Sequence, residues 1–185
     1  MLRKGFLPSN LPADPMPLVA EWLAQAREQK VQPNPDSMVV ATSTPDGQPS
    51  ARVVLCKKLV PDPGYAVFFT NYQSRKGAEL AANPRVAAVL HWDTWARQVR
   101  LEGRVVLSPA AESDEYFASR ALDSRIGAWA SLQSQVLDSR TTLLKRVATE
   151  AARFGTHVPR PPHWGGYRLW PDTVELWMEG PFRVH

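Results

Sequence analysis

Short β-strand patterns, each bounded by turn residues, recur through most of the chain. The longest covers Arg97–Leu107, where apolar and polar residues alternate. Such alternation is typical of a strand with one buried face and one exposed face. The residues expected on the buried face are Val99, Leu101, Val105 and Leu107. Further strands are predicted at Ser37–Thr42, Ser50–Lys58, Tyr65–Thr70, Arg85–Trp92, Gly165–Trp170 and Thr173–Met178.

This series of short strands constrains the fold class. It predicts a mainly β protein, a small antiparallel Greek-key barrel, and argues against a parallel α/β sheet. Because only tight turns separate the first three strands, we expect them to form an antiparallel meander.

Helix patterns are expected at the edges of the barrel. The first begins at Asp14-Pro15, with Asp14 as the N-cap and Pro15 at the first helical position. The second begins after the N-cap Ser74 and ends at Asn83-Pro84. Three more are predicted from Ser108 to about Arg120, over Ser124–Leu132 and over Ser139–Phe154. The last has an apolar stripe expected to be buried: Leu143, Leu144, Val147, Ala151 and Phe154.

Composition narrows the range of partners. The 185 residues are expected to form one domain, residues 1–185, with residues 1–13 as an extended arm. Lys and Arg number 22 against 18 Asp and Glu, and without a basic run this mild excess indicates discrete anion sites and no nucleic-acid partner. The single Cys56 rules out an internal disulfide and favours a reducing, cytoplasmic setting. No stretch approaches the ~18 apolar residues of a membrane span.

The sequence lacks the motifs of several common kinds of active site. The four histidines, His91, His157, His163 and His185, have no partner at metal-ligand spacing, so no metal is expected. The chain also lacks the Gly-x-Ser-x-Gly of hydrolases, the Gly-x-Gly-x-x-Gly of dinucleotide-binding domains and the P-loop.

Basic residues at one helix start suggest a phosphate site. Arg75 and Lys76 follow Ser74 in the first turn, where the helix dipole disfavours cations unless an anion docks there. Tyr116, Arg120 and Ser124 are spaced four apart, which would give a second cluster on one helical face if helix continued through Ala121–Asp123. Each cluster taken alone is also explained by solvated surface charge. Together they suggest one phosphorylated cofactor and one phosphorylated substrate.

Arg52 and Lys57 form a further basic pair around an apolar run. Their opposite parity would send them to opposite faces of a regular strand. The two side chains would then either bind different groups or need a β-bulge between them to reach the same face.

Seven sequence blocks, in order along essentially the whole chain, resemble the pyridoxamine 5′-phosphate oxidase family. They are Arg52–Lys57, Phe68–Lys76, Arg97–Gly103, Tyr116–Arg120, Ser124–Ser134, Trp164–Tyr167 and Glu175–His185. The resemblance implies an FMN-binding split β-barrel that forms a homodimer, with each FMN held between the subunits.

The resemblance also implies roles for individual residues. The expected FMN contacts are Arg52, Val53, Val54, Leu55, Lys57, Phe69, Thr70, Arg75, Lys76, Gln98, Gln133, Ser134 and Trp177. Lys57, Tyr116, Arg120 and Ser124 would bind the phosphate of pyridoxamine or pyridoxine 5′-phosphate, with Arg183 and His185 as catalytic residues near its ring. The implied reaction oxidises the substrate's C4′ carbon, with oxygen as the final acceptor and pyridoxal 5′-phosphate as the product.

The chain departs from the family pattern at a few positions. Ala121 stands in place of a proline, and Leu176 and Met178 replace Phe and Gln. This sequence does not include the family's N-terminal Arg-Arg-x-Tyr arm or its closing strand beyond His185, either because the two ends were removed or because this is a natural short form. Two alternatives therefore stay open: an FMN oxidase of another pathway, such as phenazine synthesis, or a non-catalytic flavin or pyridoxal-phosphate carrier.

Overall fold

The computed structural model describes Leu7 and residues 10–183, which form five α-helices and seven strands. The helices are α1 (Met16–Glu28), α2 (Arg75–Ala82), α3 (Ala110–Ala118), α4 (Leu122–Ala130) and α5 (Arg140–Phe154). The strands are β1 (Ser37–Ser43), β2 (Pro49–Leu55), β3 (Lys58–Val60), β4 (Tyr65–Asn71), β5 (Arg85–Trp92), β6 (Arg97–Leu107) and β7 (Trp164–Met178).

All seven strands belong to one curled antiparallel sheet in the order β2-β1-β5-β6-β7-β4-β3. This confirms the predicted mainly β, antiparallel fold class with peripheral helices. The core lies between the sheet and α1. It contains Leu23 of α1 together with fully buried residues of the sheet such as Phe68 and Leu90. Burying each such side chain stabilises the fold by about 1.5–3 kcal/mol. No helix of the described residues is long and apolar enough to cross a membrane.

The predicted three-strand meander is wrong. The expected strand Ser50–Lys58 breaks after Leu55, and its two parts lie at opposite edges of the sheet. The Cys56 N–H donates to Asp36 O at 2.9 Å, whereas the Lys57 N–H donates to Val67 O at 2.9 Å. Successive residues therefore pair with different neighbours, which transfers the chain from one edge to the other.

The two predicted closing strands are one continuous strand, β7, which pairs with β6 along all of the latter. Pro171-Asp172 resembles a turn in sequence but forms a bulge opposite Glu102 and Gly103. The pairing of β7 with β4 ends at Leu169. Pro171 lies beyond that point, so its lack of an N–H removes no hydrogen bond from the β4–β7 ladder. Leu107, predicted to be buried, is 59% exposed at the end of β6.

Helix positions largely follow the sequence signals. Ser74 caps α2 as predicted, whereas Ser139, predicted as the first residue of α5, is its N-cap. The Asp14 carboxylate accepts from the Met16 N–H at 2.9 Å, although α1 starts one residue later than predicted. Helix α4 begins two residues before the predicted Ser124. The predicted burial of the α5 stripe is only partial: no residue of the helix is fully buried and Leu144 is 57% exposed. Val147, Ala151 and Phe154 are partly buried against a second, smaller core cluster.

Candidate active site

A cavity of about 810 Å³ opens between β2, the N-terminal end of α2 and the helices α3 and α4. Most of the site residues expected from the sequence line it. From the expected cofactor set they are Arg52, Val53, Val54, Leu55, Lys57, Phe69, Thr70, Arg75, Lys76, Gln133 and Ser134. From the expected substrate set they are Lys57, Tyr116, Arg120 and Ser124.

The break between β2 and β3 explains how Arg52 and Lys57 reach the same cavity. In a regular strand their opposite parity would place them on opposite faces. The chain leaves the β1–β2 ladder at Cys56, and Lys57 bonds to β4 instead. The irregularity that the parity argument required is therefore this change of sheet edge.

Helix α2 presents its N-terminal turn to the cavity. The Ser74 hydroxyl accepts from the Gly77 N–H at 3.3 Å, and the helix runs directly behind the turn at Tyr72. A Cβ at Gly77 would lie 2.0 Å from the Tyr72 carbonyl oxygen, so only glycine allows this close approach. Free N–H groups of the first turn and two cations, Arg75 and Lys76, therefore face the cavity together.

One buried carboxylate holds two of the cavity's arginines. Glu79 is 4% exposed, and its Oε1 accepts from Arg75 Nε at 2.8 Å while its Oε2 lies 3.3 Å from Arg52 Nη2. Burial raises the pKa of Glu79, but hydrogen bonds from Ser50, Thr42 and Arg75 outweigh it and lower the pKa to about 2. Glu79 is thus ionised at neutral pH and fixes both guanidinium groups. Sequence reasoning missed it, although its position four residues after Arg75 was a usable signal.

Lys76 is the buried cation of this end of the cavity. Its Nζ donates to Thr70 Oγ1 at 2.8 Å, Ser74 Oγ at 3.2 Å and Gln133 Oε1 at 2.8 Å. Burial, assisted by the positive charge of Arg52, lowers its pKa from 10.5 to about 8. No carboxylate accepts from this ammonium among the described residues. Such a desolvated cation gains most from a bound anion.

The second cationic end lies at the junction of α3 and α4. The helix breaks around Ser119–Ala121, so Tyr116 and Arg120 come from the end of α3, while Ser124 lies in the first turn of α4. The predicted single helical face does not exist, yet all three side chains line the cavity. Burial lowers the pKa of Arg120, and its Nη1 is buried with no hydrogen-bond partner in the described structure.

Three of the expected residues do not line the cavity of this chain. Gln98 lies opposite Trp177 in the β6–β7 ladder, and Arg183 is exposed in a short 3-10 turn (Pro181–Arg183). His185 lies outside the described residues. The roles expected for these four residues stay predictions.

Several cavity residues were not expected from the sequence, among them Ser50, Asn71, Gly127, Ser131 and Trp164. Trp164 lies within a recognised sequence block, but nothing in its sequence context marks it as facing a ligand. Gly127 could have been noticed, because a glycine in the middle of a helix is unfavourable without a packing or functional reason.

Comparison with known proteins identifies relatives along nearly the whole chain. A family model described as pyridoxamine 5′-phosphate oxidase matches residues 24–153. A pyridoxine/pyridoxamine 5′-phosphate oxidase from Burkholderia vietnamiensis is 54% identical over 93% of this chain and 79% of its own length. One from Rhodospirillum rubrum is 51% identical over 93% of this chain and 87% of its own length.

Two solved structures share the fold. PhzG from Burkholderia lata, crystallised with tetrahydrophenazine-1-carboxylic acid, superposes with a TM-score of 0.91 at 30% identity, covering 100% of this chain and 91% of PhzG. A pyridoxamine 5′-phosphate oxidase-related, FMN-binding protein from Nostoc punctiforme superposes with a TM-score of 0.68 at 14% identity, covering 94% and 95% of the two chains. The split-barrel architecture expected from the sequence is therefore confirmed.

Proposed function

The chain belongs to the pyridoxamine 5′-phosphate oxidase family, and from that premise we propose that it is an FMN-dependent oxidase that makes pyridoxal 5′-phosphate. Pyridoxine 5′-phosphate and oxygen give pyridoxal 5′-phosphate and hydrogen peroxide. Pyridoxamine 5′-phosphate also consumes water and releases ammonia. The enzyme would serve vitamin B6 biosynthesis or salvage.

The observation that carries this proposal is one cavity with two separate cationic ends. Arg52, Arg75 and Lys76 surround one end, and Arg120 with Tyr116 and Ser124 forms the other. Phosphate groups are bound in proteins by such charge-assisted donors and by helix N-termini. A phosphorylated cofactor and a phosphorylated substrate together satisfy both ends, which a single small anion does not.

The residues at the α2 end fit FMN. Donors for its phosphate are offered by two guanidinium groups, a buried ammonium and the first turn of α2. The only carboxylate among the described partners of these groups is Glu79, which is already bound to both arginines. Gln133 and Ser134 from the segment after α4 complete this end. A bound FMN would supply the hydride acceptor and the reaction with oxygen.

The chain's own residues would bind and orient the substrate. Lys57, Tyr116, Arg120 and Ser124 would hold its phosphate, and this anchoring would place the C4′ carbon within reach of the flavin. Arg183 and His185 would contact the substrate near the reacting carbon. No triad is required, since the protein's task here is positioning and charge stabilisation.

We also propose that the working unit is a homodimer with two shared sites. Gln98 and Trp177, expected to contact FMN, are neighbours on β6 and β7 but do not line this chain's cavity. A second copy related by twofold symmetry could bring its own pair to this cavity. Exposed apolar residues at β2, such as Val53 at 63%, provide surface for that contact.

A second candidate is an oxidase that acts on reduced phenazines, favoured by the similarity to PhzG. The feature that favours the first candidate is the Arg120 end of the cavity, since a desolvated guanidinium with no acidic partner among the described residues binds a doubly charged phosphate more strongly than a singly charged carboxylate. A third candidate, a flavin or pyridoxal-phosphate carrier, would bind both ligands without turnover.

The test is an oxidase assay of the FMN-loaded protein in air-saturated buffer. Pyridoxamine 5′-phosphate should drive oxygen uptake, with pyridoxal 5′-phosphate and hydrogen peroxide formed in equal amounts. Oxygen uptake with a dihydrophenazine carboxylate alone would favour the second candidate. Tight binding of pyridoxal 5′-phosphate without uptake on any substrate would favour the third.

A further inference from the structure

Three aromatic rings form a stack at the Arg120 end of the cavity. The ring of Phe69 lies 4.0 Å from that of Tyr116, tilted by 20°, and 5.6 Å from that of Trp164, tilted by 10°. The edge of Phe117 contacts Trp164 at 5.1 Å and 66°. These near-parallel and edge-on geometries are those that aromatic rings prefer.

The guanidinium of Arg120 lies on this stack. Its Cζ is 4.6 Å from the centre of the Trp164 ring, and its Nη1 is buried without a hydrogen-bond partner. No ion pair to a carboxylate involves Arg120 among the described residues. The Phe117 ring also lies 5.6 Å from this Cζ, but the indole is closer and is the strongest of the aromatic faces for a cation.

Trp164 is itself rigidly held. It is 7% exposed, its backbone N–H donates to Pro161 O at 3.1 Å, and its backbone carbonyl accepts from Arg160 Nη1 at 2.7 Å. These bonds fix the main chain of Trp164, and the contacts with Phe69 and Phe117 hold its ring. A fixed ring can transmit that position to the guanidinium it supports.

We propose that Trp164 is a positioning residue that holds Arg120 toward the cavity and so makes the site select phosphorylated substrates. An indole face orients a guanidinium without accepting from any of its five N–H groups, all of which remain able to donate to a phosphate. A carboxylate in the same place would occupy donors and cancel the charge. This inference rests on the proposed function for the identity of the substrate.

The test compares Trp164→Leu and Trp164→Phe with the wild-type enzyme, each loaded with FMN. The readout is kcat/KM for pyridoxamine 5′-phosphate divided by kcat/KM for pyridoxamine without its phosphate. We expect this ratio to fall about tenfold in Trp164→Leu and less in Trp164→Phe, through KM, with kcat changed less than about twofold. Equal losses on both substrates would overturn the proposal.

The matched control is Trp129→Leu. Trp129 is also a tryptophan beneath an arginine, with Arg153 Cζ 5.4 Å from its ring, but it does not line the cavity. Its loss should reduce stability without changing the substrate ratio. A ratio that falls equally in the control would show that Trp164 acts only through general packing.

A double-mutant cycle tests whether Trp164 changes the substrate ratio through Arg120. In an Arg120→Ala background, Trp164→Leu should change the substrate ratio no further, because the group it positions is gone. Additive effects would overturn the proposal. Equilibrium binding of pyridoxal 5′-phosphate against pyridoxal gives the same readout without turnover. If the wild-type protein binds phosphorylated ligand selectively but oxidises neither substrate, the proposed function fails while the role of Trp164 stays testable.

Discussion

Lys76 Nζ donates a 2.8 Å hydrogen bond to Gln133 Oε1, which joins the first turn of α2 to the segment that follows α4. Both elements line the cavity, and this bond connects them without a carboxylate. A ligand phosphate at this end would therefore meet a positioned ammonium whose charge is not neutralised by any acidic partner that the structure describes.

The pKa of Lys76 sets a pH dependence for FMN binding. Its folded pKa is lowered to about 8, so the ligand-free protein carries a protonated Lys76 below about pH 8 and loses that proton above it. An anion binds the protonated form, so FMN affinity should be level from about pH 7 to 8 and then fall by up to tenfold per pH unit. Fluorescence titration of FMN across this range measures it.

Lys76→Arg provides the control for that profile. Arginine keeps its charge throughout the range, so the decline above about pH 8 should disappear even if the absolute affinity differs. A decline that persists unchanged in this variant would assign the titration to another group.

Charge reversal at the two cationic ends of the cavity should affect different ligands. Arg75→Glu places a negative charge at the α2 end and should weaken FMN binding by about 100-fold, since charge-assisted bonds to phosphate are lost and repulsion is added. Arg120→Glu should leave FMN affinity within about threefold and raise KM for pyridoxamine 5′-phosphate by at least about tenfold. Equal loss of flavin in both variants would show that the division into two phosphate sites is wrong.

Much of the fold was predictable from local signals. The strand Arg85–Trp92 and the cap at Ser74 were predicted at their observed positions, because alternation and capping depend on neighbouring residues. The break between Cys56 and Lys57 was not, since it depends on hydrogen bonds to Asp36 and Val67. Asp36 lies in the turn before β1 and Val67 lies in β4, and neither is a sequence neighbour of the break, so no local pattern reports it.

The candidate site shows the same difference. Most of the residues that line the cavity were identified from the family's sequence blocks, and the structure brings them together. The residues that orient them were missed: Glu79 acts through Arg52 and Arg75, and Trp164 through Arg120. The contacts of Glu79 with Arg52 and of Trp164 with Arg120 join segments that are distant in sequence, so no local pattern reveals them.

Gly127 is expected to lower the stability of α4 while leaving space in the cavity for the substrate. It lies in the middle of α4 and lines the cavity, and a Cβ there would meet nothing within 4 Å. Gly127→Ala should stabilise the protein by up to about 1 kcal/mol and raise KM for the phosphorylated substrate several-fold. Thermal unfolding and steady-state kinetics measure the two effects.

Thr149→Ala on the exposed side of α5 is the matched control for Gly127→Ala. It improves helix propensity outside the cavity, so it should raise stability slightly and leave KM unchanged. A Gly127→Ala enzyme that is more stable with an unaltered KM would show that the open space beside this glycine is not used by the substrate.

Shared sites predict complementation between two inactive variants. Arg75→Glu damages the cavity of its own chain, whereas Trp177→Ala would damage the cavity of its partner. In a twofold dimer the mixed pair contains one site with both changes and one site with neither. Random mixing after co-expression should therefore restore about a quarter of wild-type activity. Activity no higher than that of either variant alone would contradict a shared site.

The central claim is that this cavity brings a phosphorylated B6 vitamer to a bound FMN, and anaerobic mixing tests it most directly. The FMN-loaded protein, freed of oxygen and mixed with excess pyridoxamine 5′-phosphate, should lose the absorbance of oxidised flavin in one phase, with one pyridoxal 5′-phosphate formed per flavin. Admission of oxygen should restore the absorbance. A flavin that stays oxidised with pyridoxamine and pyridoxine 5′-phosphates, yet is bleached by a dihydrophenazine, would contradict the account.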